Sequence, residues 1–280
     1  MNGSKNIIIE ELAIGTILTA ENYHSQEANQ EYLSVSQYKS FCGTTGISPC
    51  EAKALAEING DWEMEATTAL LVGSYVDAHF EGTLSLFKAN NPQVFTKAGE
   101  LRSEYRKADE IINRVERDEM FMKFVSGEKQ TIFTAELFGA KWKVKLDSYL
   151  KGMCITDLKV MKSLRELFWV RDLGHTDFVR HWGYDLQAAI YQKAVEIATG
   201  EVLPFYIAGV SKEKQPDIEI IQIPQDMIEE QLINVEGNVS KIVALKNGEI
   251  DPIRCEMCDY CRFTKVLTKP ILPDELMGVI

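Results

Sequence analysis

The sequence predicts an α/β protein in which helices cover a mixed central β-sheet. From about residue 130 the hydrophobic pattern changes from the helical period to the alternating period of strands. The helical period then returns, and two further strand-like segments and a long helix follow. The chain has 280 residues, 45% of them hydrophobic, which is enough to form one large domain.

The predicted elements follow in chain order. Residues 31–59 begin with Ser34 or Ser36 as a helix cap, and a second helix starts near Cys50. Further helices are predicted at 65–82, 99–126, 183–199 and 225–245. Strands are predicted at 131–138, 141–150, 153–160, 203–212 and 217–223. Neither a repeat nor an interdomain linker is visible, so the chain is interpreted as one unit.

Charge and hydropathy restrict the function classes. The formal net charge of −12 disfavours a general nucleic-acid coat, although it permits an enzyme that concentrates positive charge in one groove. No apolar run approaches the roughly 18 residues of a membrane span. The first residues, MNGSKNIIIEELA, lack the basic start and long apolar stretch of a signal peptide. We therefore expect a cytoplasmic protein without a membrane partner.

The segment VKLDSYLKGMCITDLK, residues 144–159, places an aspartate in each of two apolar strands. Strand residues two apart share a face, so Trp142, Val144 and Leu146 should face the core. The opposite face should carry three lysines that lead an anionic polymer towards Asp147: Lys141, Lys143 and Lys145. This pattern predicts a DNA-binding surface that ends at a negative site.

A turn at residues 151–152 would bring Asp157 of the next strand beside Asp147. Two close carboxylates repel each other unless a cation lies between them, and oxygen ligands suit Mg²⁺ or Mn²⁺. Lys159, on the same strand face as Asp157, would orient or help deprotonate a water molecule and offset developing charge. The alternative from these residues alone is a pair of strand-end aspartates that bind nearby lysines.

Four segments, in this order, resemble motifs of RecB-like members of the PD-(D/E)xK nuclease superfamily: GSYVDAHFEG, KVKLDSYL, CITDLKV and YDLQAAIYQKA. They are similar to the His, Asp, Asp-x-Lys and Gln-x-x-x-Tyr motifs. The resemblance covers about residues 31–212 and is closest to RecE-like exodeoxyribonucleases of phages and prophages. It implies a restriction-endonuclease-like core at about 31–212 within a single nuclease domain, 1–280. An N-terminal extension, a C-terminal helix and a cysteine-rich segment complete that domain.

The resemblance also assigns roles to individual residues. It implies a Mg²⁺ or Mn²⁺ site whose ligands are His79, Asp147, Asp157 and the carbonyl group of Leu158. Lys159 becomes the catalytic lysine. Gln187 and Tyr191 stand four residues apart and share a helix face, from which both can position the lysine, a ligand or a phosphate. Without these motifs, His79 and Tyr191 would be interpreted as core residues.

The resemblance implies a metal-dependent deoxyribonuclease, specifically an exonuclease that acts on linear duplex ends in phage or prophage recombination or repair. A single-strand-annealing recombination protein is the partner that it implies, and relatives that assemble as rings imply a homo-oligomer. The alternative is a DNA-end or partner-binding module with a metal–cysteine site and no nuclease activity. An intact set of acidic residues and lysine argues against that alternative, because binding alone does not need it.

Three cysteines, Cys255, Cys258 and Cys261, repeat at every third residue, which allows their thiolates to converge on one iron–sulfur cluster. Some RecB-like nucleases resemble this arrangement with one further cysteine before the His motif, and this implies Cys50 as the fourth ligand; Cys42 is the rival. The implied cofactor is a structural [4Fe–4S] cluster, although relatives usually space the last two cysteines more widely. Tetrahedral Zn²⁺ is the main alternative, and unliganded thiols are the other.

Overall fold

A computed structural model describes residues 17–63 and 65–277 of the chain. The segment interpreted above for signal-peptide features lies outside the described residues. The described helices are α1 Gln26–Glu31, α2 Val35–Cys42, α3 Glu51–Asn59, α4 Thr68–Glu81, α5 Leu84–Asn90, α6 Lys107–Glu116, α7 Glu119–Phe124, α8 Phe178–His181, α9 Tyr184–Thr199, α10 Gln225–Lys246, α11 Asp259–Phe263 and α12 Pro273–Met277. Two short 3₁₀ turns lie at Pro92–Val94 and Ser103–Tyr105.

The strands are β1 Thr131–Leu137, β2 Ala140–Leu146, β3 Ser148–Leu150, β4 Cys154–Met161, β5 Phe168–Val170, β6 Gly174–Thr176, β7 Phe205–Ser211 and β8 Ile218–Gln222. The central sheet has the order β3-β4-β7-β8, in which β4 and β7 are parallel and the outer pairs are antiparallel. β1 and β2 form a separate hairpin, as do β5 and β6. The predicted α/β class with a mixed, helix-flanked sheet is therefore confirmed.

Helices cover both faces of the central sheet and create two apolar cores. One core joins β2, α9 and α10 and includes Ile155 of β4. The other joins α4 and α6 and includes Leu158 of the same strand. Because alternate residues of a strand point to opposite faces, β4 contributes to both cores. Such a strand is buried on both sides, and any charged residue in it needs a partner.

Local capping explains where the helices begin. Ser34 caps α2 by accepting a hydrogen bond from the Gln37 amide group, which is one of the two predicted caps. The single helix predicted at 99–126 is interrupted. Asp118 has an extended backbone and accepts a hydrogen bond from the Phe121 amide group at 2.8 Å, so it caps a new helix, α7.

The inner face of β2 is buried as predicted, since Trp142, Val144 and Leu146 have no exposed surface. On the opposite face, the middle lysine, Lys143, is covered as well. Lys143 is only 1% exposed, and its Nζ atom donates to the Tyr23 carbonyl at 2.5 Å and to Asn29 Oδ1 at 2.7 Å. Burial lowers the pKa of Lys143 to about 8.

In the described part of the chain, no helix is long and apolar enough to cross a bilayer.

Lys143→Met tests this burial. The folded-state pKa of Lys143 lies below its unfolded value of 10.5, so the charged amine penalises folding fully below about pH 8 and progressively less up to about pH 10.5. The unfolding free energy of the wild type, relative to the variant, should rise by about 2 kcal/mol between pH 7.5 and pH 10. Denaturant titrations at both pH values measure this difference.

Lys141→Met is the matched control, because Lys141 lies on the same strand face but is exposed and paired with Glu31 at 2.9 Å. The Glu31 hydrogen bond and charge raise the pKa of Lys141. The small stabilisation of the fold by this ion pair should therefore be lost rather than gained as the pH rises. Equal pH profiles for the two variants would contradict the burial of Lys143.

Candidate active site

The strand register brings Asp147 and Asp157 together. Asp147 lies between β2 and β3, and the next residue, Ser148, pairs with Thr156 of β4. Continuing this antiparallel register places Asp147 opposite Asp157. The Asp147 carboxylate also accepts a hydrogen bond from the Leu158 amide group, with 3.0 Å between Oδ2 and N. Both carboxylates line one open cavity of about 530 Å³.

A third carboxylate lines the same cavity. Asp77 lies on α4, which packs against β4, and its Oδ1 atom is buried without a hydrogen-bond partner among the described residues. Burial raises the pKa of Asp77 to about 7, despite the opposing charge of Lys159. Burial and the charge of Asp157 also raise the pKa of Asp147 well above its usual value. Three crowded acids, one with an unpaired oxygen, fit a hard divalent cation.

His79 does not join this group. Successive helix residues are about 100° apart, so His79 lies roughly 200° around α4 from Asp77. Its Nε2 atom lies 2.9 Å from Glu116 Oε1 on α6, and its side chain is 32% exposed. The expectation that His79 completes the carboxylate site is therefore corrected in favour of Asp77. The quoted segment GSYVDAHFEG contained this residue two positions earlier.

Lys159 lies in the site, where its Nζ atom forms an ion pair with Asp157. The same Nζ atom lies 5.0 Å from the ring centroid of Tyr184. Burial lowers the pKa of Lys159, but the combined effects of Asp157, Tyr184 and Asp147 outweigh it, and the net shift is upward. Lys159 is therefore an ammonium ion at neutral pH.

Gln187 and Tyr191 also meet at the cavity. Gln187 is buried, and its Nε2 atom donates to Asp157 Oδ1 at 2.6 Å. Tyr191, one turn further along α9, is hydrogen-bonded to Gln187, and burial raises its pKa well above its usual value. The helix thus fixes the orientation of Asp157, as the four-residue spacing predicted.

Lys39 was not selected by the sequence reasoning, although it lines the cavity from α2. Its Nζ atom lies 5.2 Å from the Tyr184 ring centroid, so two lysine side chains lie near this ring. Burial and the charge of Lys159 lower the pKa of Lys39 to about 7. No spacing in the sequence connects α2 with the Asp-x-Lys strand, so only the tertiary structure reveals this residue.

The three predicted DNA-contacting lysines have different environments. Lys145 lines the cavity, and its Nζ atom lies 3.4 Å from His24 Nε2. Lys143 also lines it, but its ammonium group is held by the Tyr23 carbonyl and Asn29. Lys141 lies outside the cavity, in the ion pair with Glu31. The strand face that is predicted to bind DNA therefore meets the cavity at Lys145.

The four predicted cysteines form a second cluster. The Sγ atoms of Cys50, Cys255, Cys258 and Cys261 all lie within 4.8 Å of one another. Cys50 immediately precedes α3, and its Sγ atom lies 3.6 Å from that of Cys261. Burial raises the pKa of Cys258 to about 12. At Cys255 the effect of burial is outweighed by backbone amides, and its pKa falls to about 7. Such crowded thiols ionise together only around a cation.

Cys42 and Cys154 do not contribute to this cluster. Cys154 is buried on β4 near Thr156. The Sγ atoms of Cys255 and Cys261 are 3.9 Å apart, close to the edge of about 3.8 Å expected for a tetrahedron with Zn–S bonds of about 2.3 Å. A larger cluster would need the sulfur atoms to lie further apart, because several iron atoms would lie between them.

A mixed sheet whose central strand carries an Asp-x-Lys sequence, faced by two further carboxylates, defines the PD-(D/E)xK nuclease superfamily fold. Residues 34–264 match the family described as "PDDEXK-like domain of unknown function (DUF3799)", and the chain belongs to this family. The matched range extends beyond the predicted core boundary at 212 and includes the whole cysteine cluster.

The chain is also similar to a candidate exonuclease from Eubacterium rectale whose crystal structure is known. The two sequences are 56% identical, and the match covers 95% of this chain and 100% of the other, with a TM-score of 0.92. No curated protein matches the chain. These similarities agree with the resemblance that the four motifs indicated.

Proposed function

We propose that this protein is a Mg²⁺- or Mn²⁺-dependent deoxyribonuclease. The observation that carries the proposal is the convergence of three carboxylates, Asp77, Asp147 and Asp157, beside the ammonium group of Lys159. A pure binding module has no need for buried acids whose mutual repulsion opposes folding. A divalent cation relieves that repulsion and supplies the positive charge that phosphodiester hydrolysis requires.

Individual residues of the site would have different roles in hydrolysis. The three aspartates would hold the cation, with the Leu158 carbonyl as a proposed additional ligand. Lys159 remains protonated, because Asp157 raises its pKa, and would stabilise the negative charge that develops on the phosphate. Gln187 holds Asp157 in place, and Tyr191 supports Gln187.

DNA is the substrate that the cavity fits. It is lined by Lys145, His24 and Lys39, and Lys145 places a basic side chain beside the acidic centre of a protein with net charge −12. We propose exonuclease action, which the motif resemblance and the similarity to the candidate exonuclease from Eubacterium rectale both support. The preference for linear duplex ends is proposed from the resemblance. A role in phage-type recombination with an annealing protein, and assembly as a homo-oligomer, rest on the resemblance.

We further propose that the cysteine cluster is a structural metal site. It connects the segment after α10 to the start of α3, where Ile253 and Glu51 are also joined by a hydrogen bond of 2.8 Å. The resemblance supports a [4Fe–4S] cluster, whereas the sulfur separations support Zn²⁺. Either metal would fix the C-terminal segment on the catalytic core.

The nuclease proposal predicts that purified protein degrades linear duplex DNA with Mg²⁺ or Mn²⁺ and stops when EDTA is added. Lys159→Ala should lower the rate at least about 100-fold while preserving the fold, because it removes charge stabilisation rather than packing. End-labelled linear DNA and covalently closed circular DNA are compared under the same conditions. Only the linear substrate should be degraded.

Lys193→Ala is the control, since Lys193 lies on α9 but forms a surface ion pair with Glu196 at 2.8 Å. It should retain wild-type activity. Full activity in Lys159→Ala would contradict the catalytic assignment. Efficient cutting of the circle would leave the nuclease intact and refute exonuclease specificity.

Metal analysis tests the cysteine site. Anaerobically purified protein should contain either about four iron atoms, with a brown colour, or one zinc atom per chain. Cys50→Ala should lose the metal and lower the thermal stability, whereas Cys42→Ala, which lies outside the cluster, should keep the metal. Protein with neither iron nor zinc would reject the site, and a full metal content in Cys50→Ala would exclude Cys50 as a ligand.

A further inference from the structure

The β5–β6 hairpin presents a large apolar surface to solvent. Trp169 is 71% exposed, and Leu173, in the turn, is 72% exposed. Leu167, just before the hairpin, is 63% exposed. Exposed single apolar residues are common, but three within seven positions, one of them a tryptophan, form a patch that packing does not explain.

The opposite face of the hairpin is firmly anchored. The Phe168 ring stacks on His181 of α8, with centroids 3.7 Å apart and planes 3° apart. Val170 lies against Gly46, where an added Cβ atom would come within 2.8 Å of it. The carbonyl group of His181 accepts a hydrogen bond of 2.6 Å from Thr44 Oγ1. Phe168 and Val170 both point towards this anchor. Because adjacent strand residues point to opposite faces, Trp169 points to solvent.

The hairpin is inserted between the elements that build the candidate active site. It follows β4, which carries Asp157 and Lys159, and it precedes α8 and α9. Tyr184, which lines the cavity, is only three residues beyond the anchoring His181. Gly183, which follows α8, lies against Lys39 of the cavity lining, where an added Cβ atom would come within 3.0 Å of Lys39 Cε. The helix α8 therefore joins the anchored base of the hairpin to the edge of the cavity.

The composition of the patch fits nucleic acid. The indole ring of Trp169 faces His175 across the hairpin, with ring centroids 5.2 Å apart. Arg171, at the turn, is exposed and has no ion pair among the described residues. The segment 162–182 has four basic and three acidic residues in a chain of net charge −12. An aromatic face beside a free cation suits base stacking next to a phosphate.

We propose that the Trp169 surface stacks on the terminal base pair of a DNA duplex and places the adjacent phosphodiester in the carboxylate cavity. This inference rests on the proposed function, and it specifies a duplex end as the substrate. Stacking needs only the flat face of a base pair, so the contact would be independent of sequence. The flat face of a base pair is exposed only where a DNA duplex ends.

Equilibrium binding without cleavage tests the proposal. A short blunt duplex carries 2-aminopurine at its terminal position, and binding is measured in Ca²⁺ by the change in its fluorescence. Trp169→Ala should weaken binding at least about 5-fold, the lower end for loss of one base–aromatic stack, and abolish the fluorescence change. Trp169→Phe should retain part of both, because a smaller aromatic ring remains.

Leu86→Ala is the matched control, since Leu86 on α5 is also 61% exposed but lines neither the cavity nor the hairpin. It should bind as the wild type does. Wild-type affinity and fluorescence change in Trp169→Ala would overturn the proposal. So would a lower oligomeric state in sedimentation with unchanged DNA binding, which would identify the patch as a subunit contact.

The same variants separate this inference from the nuclease proposal. If the wild type binds duplex ends through Trp169 but cuts no DNA with any divalent cation, the nuclease proposal fails and the stacking surface stands. If the wild type degrades linear DNA and Trp169→Ala degrades it equally fast, the stacking surface fails and the nuclease proposal stands. Circular dichroism of Trp169→Phe verifies that the hairpin tolerates substitution.

Discussion

The repulsion among Asp77, Asp147 and Asp157 is the constraint on which the rest of the site depends. The three carboxylates come from α4, from the junction of β2 and β3, and from β4, so only tertiary packing brings them together. Their proximity and burial raise the pKa of both Asp77 and Asp147. Lys159 offsets part of this cost, and a divalent cation would offset the remainder. This arrangement therefore lowers the stability of the fold, and it would suit phosphate chemistry.

The surrounding contacts hold this unfavourable arrangement in place. Gln187 fixes one oxygen of Asp157, and the Leu158 amide group fixes one oxygen of Asp147. The cysteine cluster acts from further away. It anchors the start of α3, which packs against α2, the helix that carries Lys39 into the cavity. If the proposed metal is bound there, its loss would loosen one wall of the cavity without changing the carboxylates.

The alternating pattern between 131 and 160 predicted three strands, and the structure divides the second of them into β2 and β3 at Asp147. Helical periodicity placed α4 but did not show which of its faces meets β4. The motif resemblance indicated His79, and Asp77 was not identified from the sequence. The burial of Lys143 could not be predicted, since the residues that cover it, Tyr23 and Asn29, are distant in sequence. The β5–β6 hairpin was missed because strands of three residues are too short to establish a period.

Titration calorimetry of Mn²⁺ into the wild type, Asp77→Ala and His79→Ala tests the central claim most directly. The account predicts that Asp77→Ala weakens the binding at least about 10-fold, since a charged ligand is lost, whereas His79→Ala binds as the wild type does. His79 is occupied by Glu116 and does not line the cavity. Wild-type binding in Asp77→Ala together with lost binding in His79→Ala would contradict the account.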